Sequence, residues 1–128
     1  MTIIGNSAQH GGGVYCENSS PSLVNVRISD NSASVGGGIN CSMGSVSNLS
    51  LVNVTITNNS AEIGGGIDCR SNSNLSLENV TISGNSASNV GGGIYCKSGS
   101  SPSLVNTIVS DNVGNYGFYN DQGNPGNP

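Results

Sequence analysis

The chain carries few side chains that could do acid–base, metal or nucleophilic chemistry. Its 128 residues include seven carboxylates, one histidine and four cysteines. Carboxylates that catalyse hydrolysis or bind Ca²⁺ must lie close together, so their positions in the fold decide whether they form a site. They are spread along the whole chain: Glu17, Asp30, Glu62, Asp68, Glu78, Asp111 and Asp121.

A repeated hexapeptide indicates how the chain positions its side chains. Three glycines, a β-branched residue, a variable residue and a cysteine recur four times, ending at Cys16, Cys41, Cys69 and Cys96. A repeat of about 25 residues is typical of solenoids, in which neighbouring coils bury a shared core.

One repeat is predicted to form three short strands joined by turns. In the coil that begins at Gly64, these strands cover residues 66–69, 75–79 and 80–83. Alternation places Leu77 and Ile82 inside. The sequence therefore predicts an all-β, right-handed parallel β-helix of about four to five coils over residues 1–120. The Gly-, Asn- and Pro-rich residues 121–128 are predicted to be a cap, a linker or a tail.

Asparagines form two further columns, which we interpret as structural. One follows the third strand: Asn6, Asn31, Asn59, Asn85 and Asn112. The other lies between the second and third strands: Asn25, Asn53, Asn79 and Asn106. Asn tolerates the backbone angles of tight turns, and stacked Asn side chains can hydrogen-bond from coil to coil.

The pairing of Gly-Gly-Gly-Ile/Val with Ile-x-x-Asn resembles the repeats of polymorphic outer-membrane adhesins. The second motif occurs as Ile28-Ser29-Asp30-Asn31 and in three later copies, and the resemblance covers Ile3 to Asn120. In that family the motifs are Gly-Gly-Ala-Ile and Phe-x-x-Asn, so Ile or Val here replaces Phe. The resemblance implies a β-helix that serves in adhesion at the cell surface.

The cysteines lack the spacing of a metal site. Each occupies the same inward position of the first strand, where stacked coils bring Cα atoms to about 4.8 Å. A column of buried thiols is favoured, because in-register neighbours point the same way and fit a disulfide poorly. The disulfides Cys16–Cys41 and Cys69–Cys96 remain the alternative.

In this repeat frame no carboxylate stacks on another, and His10 has no catalytic partner. The group formed by Asp68, Arg70 and Lys97 is expected to be a solvated face. Parallel β-helices often host polysaccharide lyases and hydrolases, so the remnant of such an enzyme is an alternative. We nevertheless expect no enzyme activity, no cofactor and no metal site.

Two outward rows are candidate binding surfaces. The outward row of the first strand could hold a sugar by stacking and hydrogen bonding: Tyr15, Asn40, Asp68, Tyr95 and Tyr119. The alternative is that Tyr simply suits an exposed strand. The outward Thr and Ser of the third strand resemble an ice-binding face, but only Thr55-Ile56-Thr57 is a full match, and Arg27 and Ile108 interrupt the columns.

These observations favour a non-enzymatic, extracellular or cell-surface module, structural or adhesive. The net charge of −4 makes nucleic acid an unsuitable partner, no apolar run is long enough to span a membrane, and no export signal opens the chain. Glycans, surface proteins or copies of itself are the expected partners. End-to-end stacking into fibres would place Ile3, Ile4, Phe118 and Tyr119 at the junction, unless neighbouring coils of a longer chain cap these ends.

Overall fold

The chain folds as a stack of parallel β-strands. The computed structural model describes residues 1–41, 48–70, 73–97 and 100–121. No helix in these ranges is long and apolar enough to cross a membrane. The strands are β1 (Thr2–Ile4), β2 (Val14–Cys16), β3 (Ser22–Val24), β4 (Arg27–Ser29), β5 (Ile39–Cys41), β6 (Leu49–Val52), β7 (Thr55–Thr57), β8 (Ser60–Ile63), β9 (Ile67–Cys69), β10 (Asn74–Glu78), β11 (Thr81–Ser83), β12 (Ser86–Val90), β13 (Ile94–Lys97), β14 (Ser101–Val105), β15 (Ile108–Ser110), β16 (Val113–Asn115) and β17 (Phe118–Asp121).

Four parallel sheets run along the stack, and each successive strand of a sheet belongs to the next coil. Sheet 1 contains β2, β5, β9, β13 and β17, and sheet 2 contains β3, β6, β10 and β14. Sheet 3 contains β1, β4, β7, β11 and β15, and sheet 4 contains β8, β12 and β16. The predicted all-β parallel solenoid is therefore confirmed.

Sheet 4 occupies a segment that the sequence analysis interprets as a turn. Its strands are built largely from Ser, Ala and Asn, which have weak β-propensity, so the composition did not indicate a strand. The backbone pairs regardless of side chain: the Ser60 amide donates to the Asn31 carbonyl, and the Ser86 amide donates to the Asn59 carbonyl, both at 2.9 Å. Each full coil thus has four short sides rather than three.

The core consists of apolar columns that run along the stack. Leu23, Leu51, Leu77 and Leu104 are in register in sheet 2. Ile28, Ile56 and Ile82 are in register in sheet 3 and are fully buried. Each fully buried side chain of these columns contributes about 1.5–3 kcal/mol by leaving water. Leu104 is 37% exposed and contributes less. This inward register is the predicted one.

Equivalent residues of successive coils stay aligned although the coils differ in length. Successive asparagines of the column after sheet 3 are separated by 25, 28, 26 and 27 residues. The number of residues between Leu51 and Asn59 equals the number between Leu77 and Asn85. Cys41 and Leu51 are further apart in the chain than Cys16 and Leu23, and Asn85 and Cys96 are one residue further apart than Asn59 and Cys69. Most of the variation therefore lies in the connection between sheets 1 and 2.

The glycine triplets allow the closest approach between coils. A Cβ on Gly37, the second glycine of its triplet, would lie 2.4 Å from the carbonyl oxygens of both Gly65 and Ser60. These are backbone atoms of the next coil, and they are held by the hydrogen bonds of the stack. Only glycine leaves room at this position.

Gly37→Ala is therefore expected to lower the free energy of unfolding by about 3 kcal/mol or more, because the backbone of two coils must separate. Gly5→Ala is the matched control, since Gly5 has a φ of +73° but nothing within 4 Å of its Cβ position. That control should lose only about 1–2 kcal/mol for the left-handed backbone. Urea unfolding followed by circular dichroism measures both, and equal losses would contradict the close approach.

Candidate functional site

The structure brings the five residues of the candidate sugar-binding row into one column of sheet 1. Tyr15 pairs with Asn40, Asn40 with Asp68, Asp68 with Tyr95, and Tyr95 with Tyr119. The predicted exposure of this column is wrong for its middle. Asn40 and Asp68 are 0% exposed and Tyr95 is 6% exposed, whereas Tyr15 is 43% exposed. The column is therefore not one continuous binding surface.

The first glycine of each triplet brings the backbone close to the outward side chain of the strand that follows it. Gly64 has a φ of +65°, and a Cβ on it would lie 2.8 Å from the Cβ of Asp68. The corresponding approach of Gly91 to the Cβ of Tyr95 is 2.7 Å. The left-handed turn thus folds the backbone against the outward side chain that follows it. Alternation alone predicts which way a side chain points but not what lies over it.

A hydrogen-bonded ion pair occupies the centre of the column. Arg70 donates from Nη2 to Asp68 Oδ1 at 2.8 Å and from Nε to Asp68 Oδ2 at 3.0 Å. Asn40 donates from Nδ2 to Asp68 Oδ2. The Arg70 guanidinium also lies over the Tyr95 ring, 5.2 Å from its centroid. The predicted solvated face is therefore wrong for Asp68, while Lys97 is exposed.

Burial dominates the electrostatics of Asp68. Loss of hydration raises the pKa of Asp68 above its usual range, and the hydrogen bonds from Arg70 and Asn40 oppose that shift. The side chain of Arg70 is 30% exposed while that of Asp68 is 0% exposed, so the carboxylate loses more of its hydration. Loss of hydration also lowers the pKa of Arg70, but the hydrogen bond and the charge of Asp68 outweigh it and raise that pKa. Such a pair is weak evidence for stabilisation, because desolvation can exceed the attraction between the charges.

Three tyrosines cluster across the last two described coils. The rings of Tyr95 and Tyr119 are stacked, with centroids 5.0 Å apart and planes at 10°. Tyr116 is tilted against Tyr119 at 5.7 Å and is 52% exposed. At the other end of the column, His10 lies 6.0 Å from the Tyr15 ring, a contact that the sequence analysis did not assign.

Tyr116 is the site residue that sequence reasoning missed. The amide of Gly92 donates to the Tyr116 carbonyl, as the amide of Gly65 donates to Gly91, so Tyr116 replaces the first glycine of a triplet. Its φ is +61°, a region that L-residues other than Asn and Asp rarely adopt. An ungapped alignment of Gly117 with the last glycine places Tyr116 at the second glycine, so the sequence gives no signal for this substitution.

The inner asparagine column forms a continuous amide ladder. Asn59 donates from its backbone amide and from Nδ2 to Asn85 Oδ1, each at 2.9 Å, and from Nδ2 to the Ile28 carbonyl at 3.1 Å. Asn31 in turn donates to Asn59 Oδ1 at 3.0 Å. Asn31, Asn59 and Asn85 are buried.

The outer asparagines have a different role. They are exposed and left-handed, with φ between 48° and 59°: Asn25, Asn53, Asn79 and Asn106. A second left-handed column precedes the ladder and went unrecognised in the sequence: Gly5, Asp30, Asn58, Gly84 and Asp111. Gly, Asn and Asp are the residues that tolerate this conformation, so this column is readable once the repeats are aligned.

A family profile described as a right-handed β-helix region matches residues 1–128. The chain belongs to the right-handed β-helix family. No curated protein and no solved structure matches it.

The cysteines of this β-helix are free and buried. Cys16, Cys41, Cys69 and Cys96 are in register on the inner face of sheet 1. Hydrogen bonds with the neighbouring thiols, together with burial, raise the pKa of Cys41, and burial raises the pKa of Cys96. A thiol held protonated in this way is a poor nucleophile and packs as a small apolar side chain.

The four residues expected at a junction lie at opposite ends of the β-helix. Ile3 and Ile4 belong to the terminal strand of sheet 3, and Phe118 and Tyr119 belong to the terminal strand of sheet 1. Ile4 is 53% exposed, whereas Ile3 and Phe118 are partly buried against the core.

The candidate ice-binding face lies on the outer side of sheet 3. Arg27 pairs with Thr55, Thr55 with Thr81, and Thr81 with Ile108. Ser29, in the adjacent column, is 0% exposed, and Ile108 is 58% exposed. The exposed hydroxyls therefore do not form an unbroken array.

Asn59→Asp tests the ladder. The new carboxylate oxygen would replace the Nδ2 donor and face two acceptor oxygens in a buried position. We expect a loss of about 3–5 kcal/mol in the free energy of unfolding. Asn53→Asp is the matched control, because Asn53 is exposed and Asp also tolerates its φ of 54°. Similar midpoints for both variants in thermal unfolding would contradict a structural ladder.

Asp68→Asn tests the buried pair through pH. Because burial raises the pKa of Asp68, its contribution to stability is fully present below the unfolded pKa of about 3.9 and is lost as the pH rises through the folded pKa. The variant keeps the shape and does not titrate. We expect the free energy of unfolding of the variant, relative to that of the wild type, to rise as the pH increases, measured by urea unfolding between about pH 3 and pH 8.

The control for that experiment is Glu78→Gln, which changes an exposed carboxylate and should leave the profile unchanged. A deficit in Asp68→Asn that grows with pH would show instead that the ion pair outweighs the cost of burial.

Proposed function

We propose that this β-helix is a non-enzymatic structural or adhesive module that acts outside the cell or at its surface. The observation that supports this proposal most is how its buried polar side chains are hydrogen-bonded. The ladder asparagines and Asp68 direct their hydrogen bonds to neighbouring coils or to Arg70, so these groups serve the stack.

Asp68 illustrates the argument. A catalytic carboxylate must reach its substrate, and a general acid needs a proton that it can deliver. Asp68 is 0% exposed and is engaged by Arg70 and Asn40. The exposed carboxylates Asp30 and Asp111 lie in left-handed turns, which suit Asp for conformational reasons. This arrangement supports a structural role for both sets.

The adhesin resemblance supports the same proposal in a specific way. In the motif Ile56-Thr57-Asn58-Asn59, Ile56 is core, Asn58 is left-handed and Asn59 belongs to the ladder. The glycine triplet allows the backbones of neighbouring coils to approach closely. The motif residues therefore build the scaffold, and recognition of a glycan or a surface protein falls to exposed positions outside the motifs.

Incubation with acidic polysaccharides tests the absence of catalysis. We expect no release of unsaturated or reducing ends above that of a heat-denatured sample. Turnover that disappears in Asp68→Asn, in a variant that remains folded, would overturn the proposal.

A second candidate, carbohydrate binding, is favoured by one observation: Tyr116 presents an exposed ring beside Tyr119 in a strained backbone conformation. Strain of about 1–3 kcal/mol persists where the surrounding structure imposes it, and it concentrates at functional sites. The candidate surface is thus the Tyr116–Tyr119 pair rather than the whole row predicted from the sequence.

Two substitutions at Tyr116 separate the ring from the backbone. Tyr116→Ala and Tyr116→Gly both remove the ring and should reduce binding on a glycan array equally. The glycine variant should be more stable than the alanine variant by about 1–2 kcal/mol, because only glycine relieves the φ of +61°. Tyr15→Ala, at the far end of the row, is the control that should bind like the wild type. Binding that survives both Tyr116 variants would exclude this surface.

A further inference from the structure

We propose that Asn53 and Asn79 are acceptor sites for N-linked glycans, at the corner between sheets 2 and 3. The inference rests on the proposed location outside the cell, because glycans of this kind are attached during export. It goes beyond that function, since it assigns a covalent modification to two members of the exposed asparagine column.

Both residues begin the motif that oligosaccharyltransferases recognise, Asn-x-Ser/Thr with x other than Pro. The two motifs are Asn53-Val54-Thr55 and Asn79-Val80-Thr81. They lie in register on neighbouring coils, because Thr55 pairs with Thr81 in sheet 3. Equivalent acceptor sites therefore follow each other along one edge of the stack.

The fold leaves the carboxamides of these two asparagines available. Asn53 and Asn79 are exposed, and neither side chain hydrogen-bonds to another residue in the described ranges. Their backbone amides, in contrast, donate to the Glu78 and Val105 carbonyls, both at 3.0 Å. The backbone thus belongs to the stack while the side chain does not, so a sugar on Nδ2 would displace no contact among the described residues.

The ladder asparagines show the opposite arrangement. Asn59 and Asn85 each donate from Nδ2 to the Oδ1 of the next ladder residue, and a sugar on that nitrogen would break the column. Alanine follows them at the position where the motif needs a hydroxyl, as Ala61 and Ala87. No ladder asparagine begins the motif.

Five further motifs end in serine, which transferases accept less readily than threonine: Asn18, Asn40, Asn48, Asn58 and Asn74. The fold restricts two of them. Asn40 is 0% exposed and donates from Nδ2 to Asp68. A Cβ on Gly84 would lie 2.7 Å from Asn58 Oδ1, so the Asn58 carboxamide rests against the backbone of the next coil. The two threonine motifs are therefore the favoured sites.

The transfer is a substitution at the anomeric carbon of the sugar. Nδ2 forms a bond to C1 of an oligosaccharide carried on a polyprenyl diphosphate, the bond from C1 to the diphosphate oxygen breaks, and Nδ2 gives up a proton. The lipid diphosphate leaves with the bonding electrons, so the step needs no oxidant or reductant. Transfer to the extended chain precedes folding, and the fold then accepts a modified asparagine only where that residue is exposed.

The test expresses residues 1–128 behind a cleavable secretion leader in a eukaryotic cell that carries the transferase. Enzymatic release of the glycans in heavy-oxygen water converts each modified asparagine to a labelled aspartate, which mass spectrometry of the peptides locates. Medium and cell lysate are both analysed, so that retained chains are counted. We expect glycan at Asn53 and at Asn79 in the secreted protein.

Two variants remove the motifs without changing the asparagines. Thr55→Ala should abolish glycan at Asn53 alone, and Thr81→Ala should abolish glycan at Asn79 alone. Both threonines lie on the outer side of sheet 3, so we expect folded proteins, as checked by circular dichroism. Glycan that persists at Asn53 in Thr55→Ala would contradict the motif assignment.

A third variant adds a site at the same corner. Asn106 is exposed and left-handed, with a φ of 48°, but Ile108 stands where threonine would complete the motif. Ile108→Thr should add glycan at Asn106. Ile108→Val has the same shape without the hydroxyl and is the matched control that should add none. Glycan at Asn106 in both variants would show that transfer does not follow the motif and would overturn the assignment.

Unmodified Asn53 and Asn79 in both fractions, in protein from which the leader has been removed, end this inference. That result leaves the proposed structural function to be judged by the polysaccharide assay, so the two failures are distinguishable.

Discussion

The hydrogen bonds between successive coils are the interaction on which everything else in this β-helix depends. They hold equivalent backbone atoms of neighbouring coils at the separation of paired strands, about 4.8 Å. At that separation each side chain rests on the side chain of the same column. A column is then stable only if its residues can stack, which apolar groups, carboxamides and thiols all do. This requirement is why the same residue types recur at equivalent positions of the sequence repeat.

The carboxamide ladder adds something that the apolar columns lack. An Ile column would tolerate a small displacement of one coil on the next, because its contacts are non-directional. The Asn ladder pairs a defined donor with a defined acceptor at each step, and Asn59 is satisfied only when Asn31 and Asn85 are at the correct height. Buried polar groups of this kind set register because an unmade hydrogen bond is costly. The ladder thus specifies the stack, and the apolar columns supply most of its stability.

The sequence predicted the columns because periodicity and alternation act residue by residue. Leu51, Ile56 and Asn59 were all placed correctly for that reason. It did not predict the burial of Asp68, which depends on the neighbouring side chains of Asn40, Arg70 and Tyr95. Nor did composition reveal sheet 4, whose pairing is made by backbone atoms. Tyr116 was missed because the last coil breaks the glycine pattern by which the others were aligned.

The number of residues in the connection between sheets 1 and 2 differs between Cys16–Leu23 and Cys41–Leu51. The segment from Leu51 to Asn59, in contrast, has the same length as its counterpart in the neighbouring coil. One corner of every coil is therefore free to lengthen without disturbing a ladder or a core column. Loop length costs little entropy, about 0.6 kcal/mol for each doubling. Divergence can accordingly add new surface at this corner, coil by coil, on a scaffold that does not need to change. The connection between sheets 1 and 2 is therefore a natural place for inserted peptides, whether they arise by evolution or by grafting.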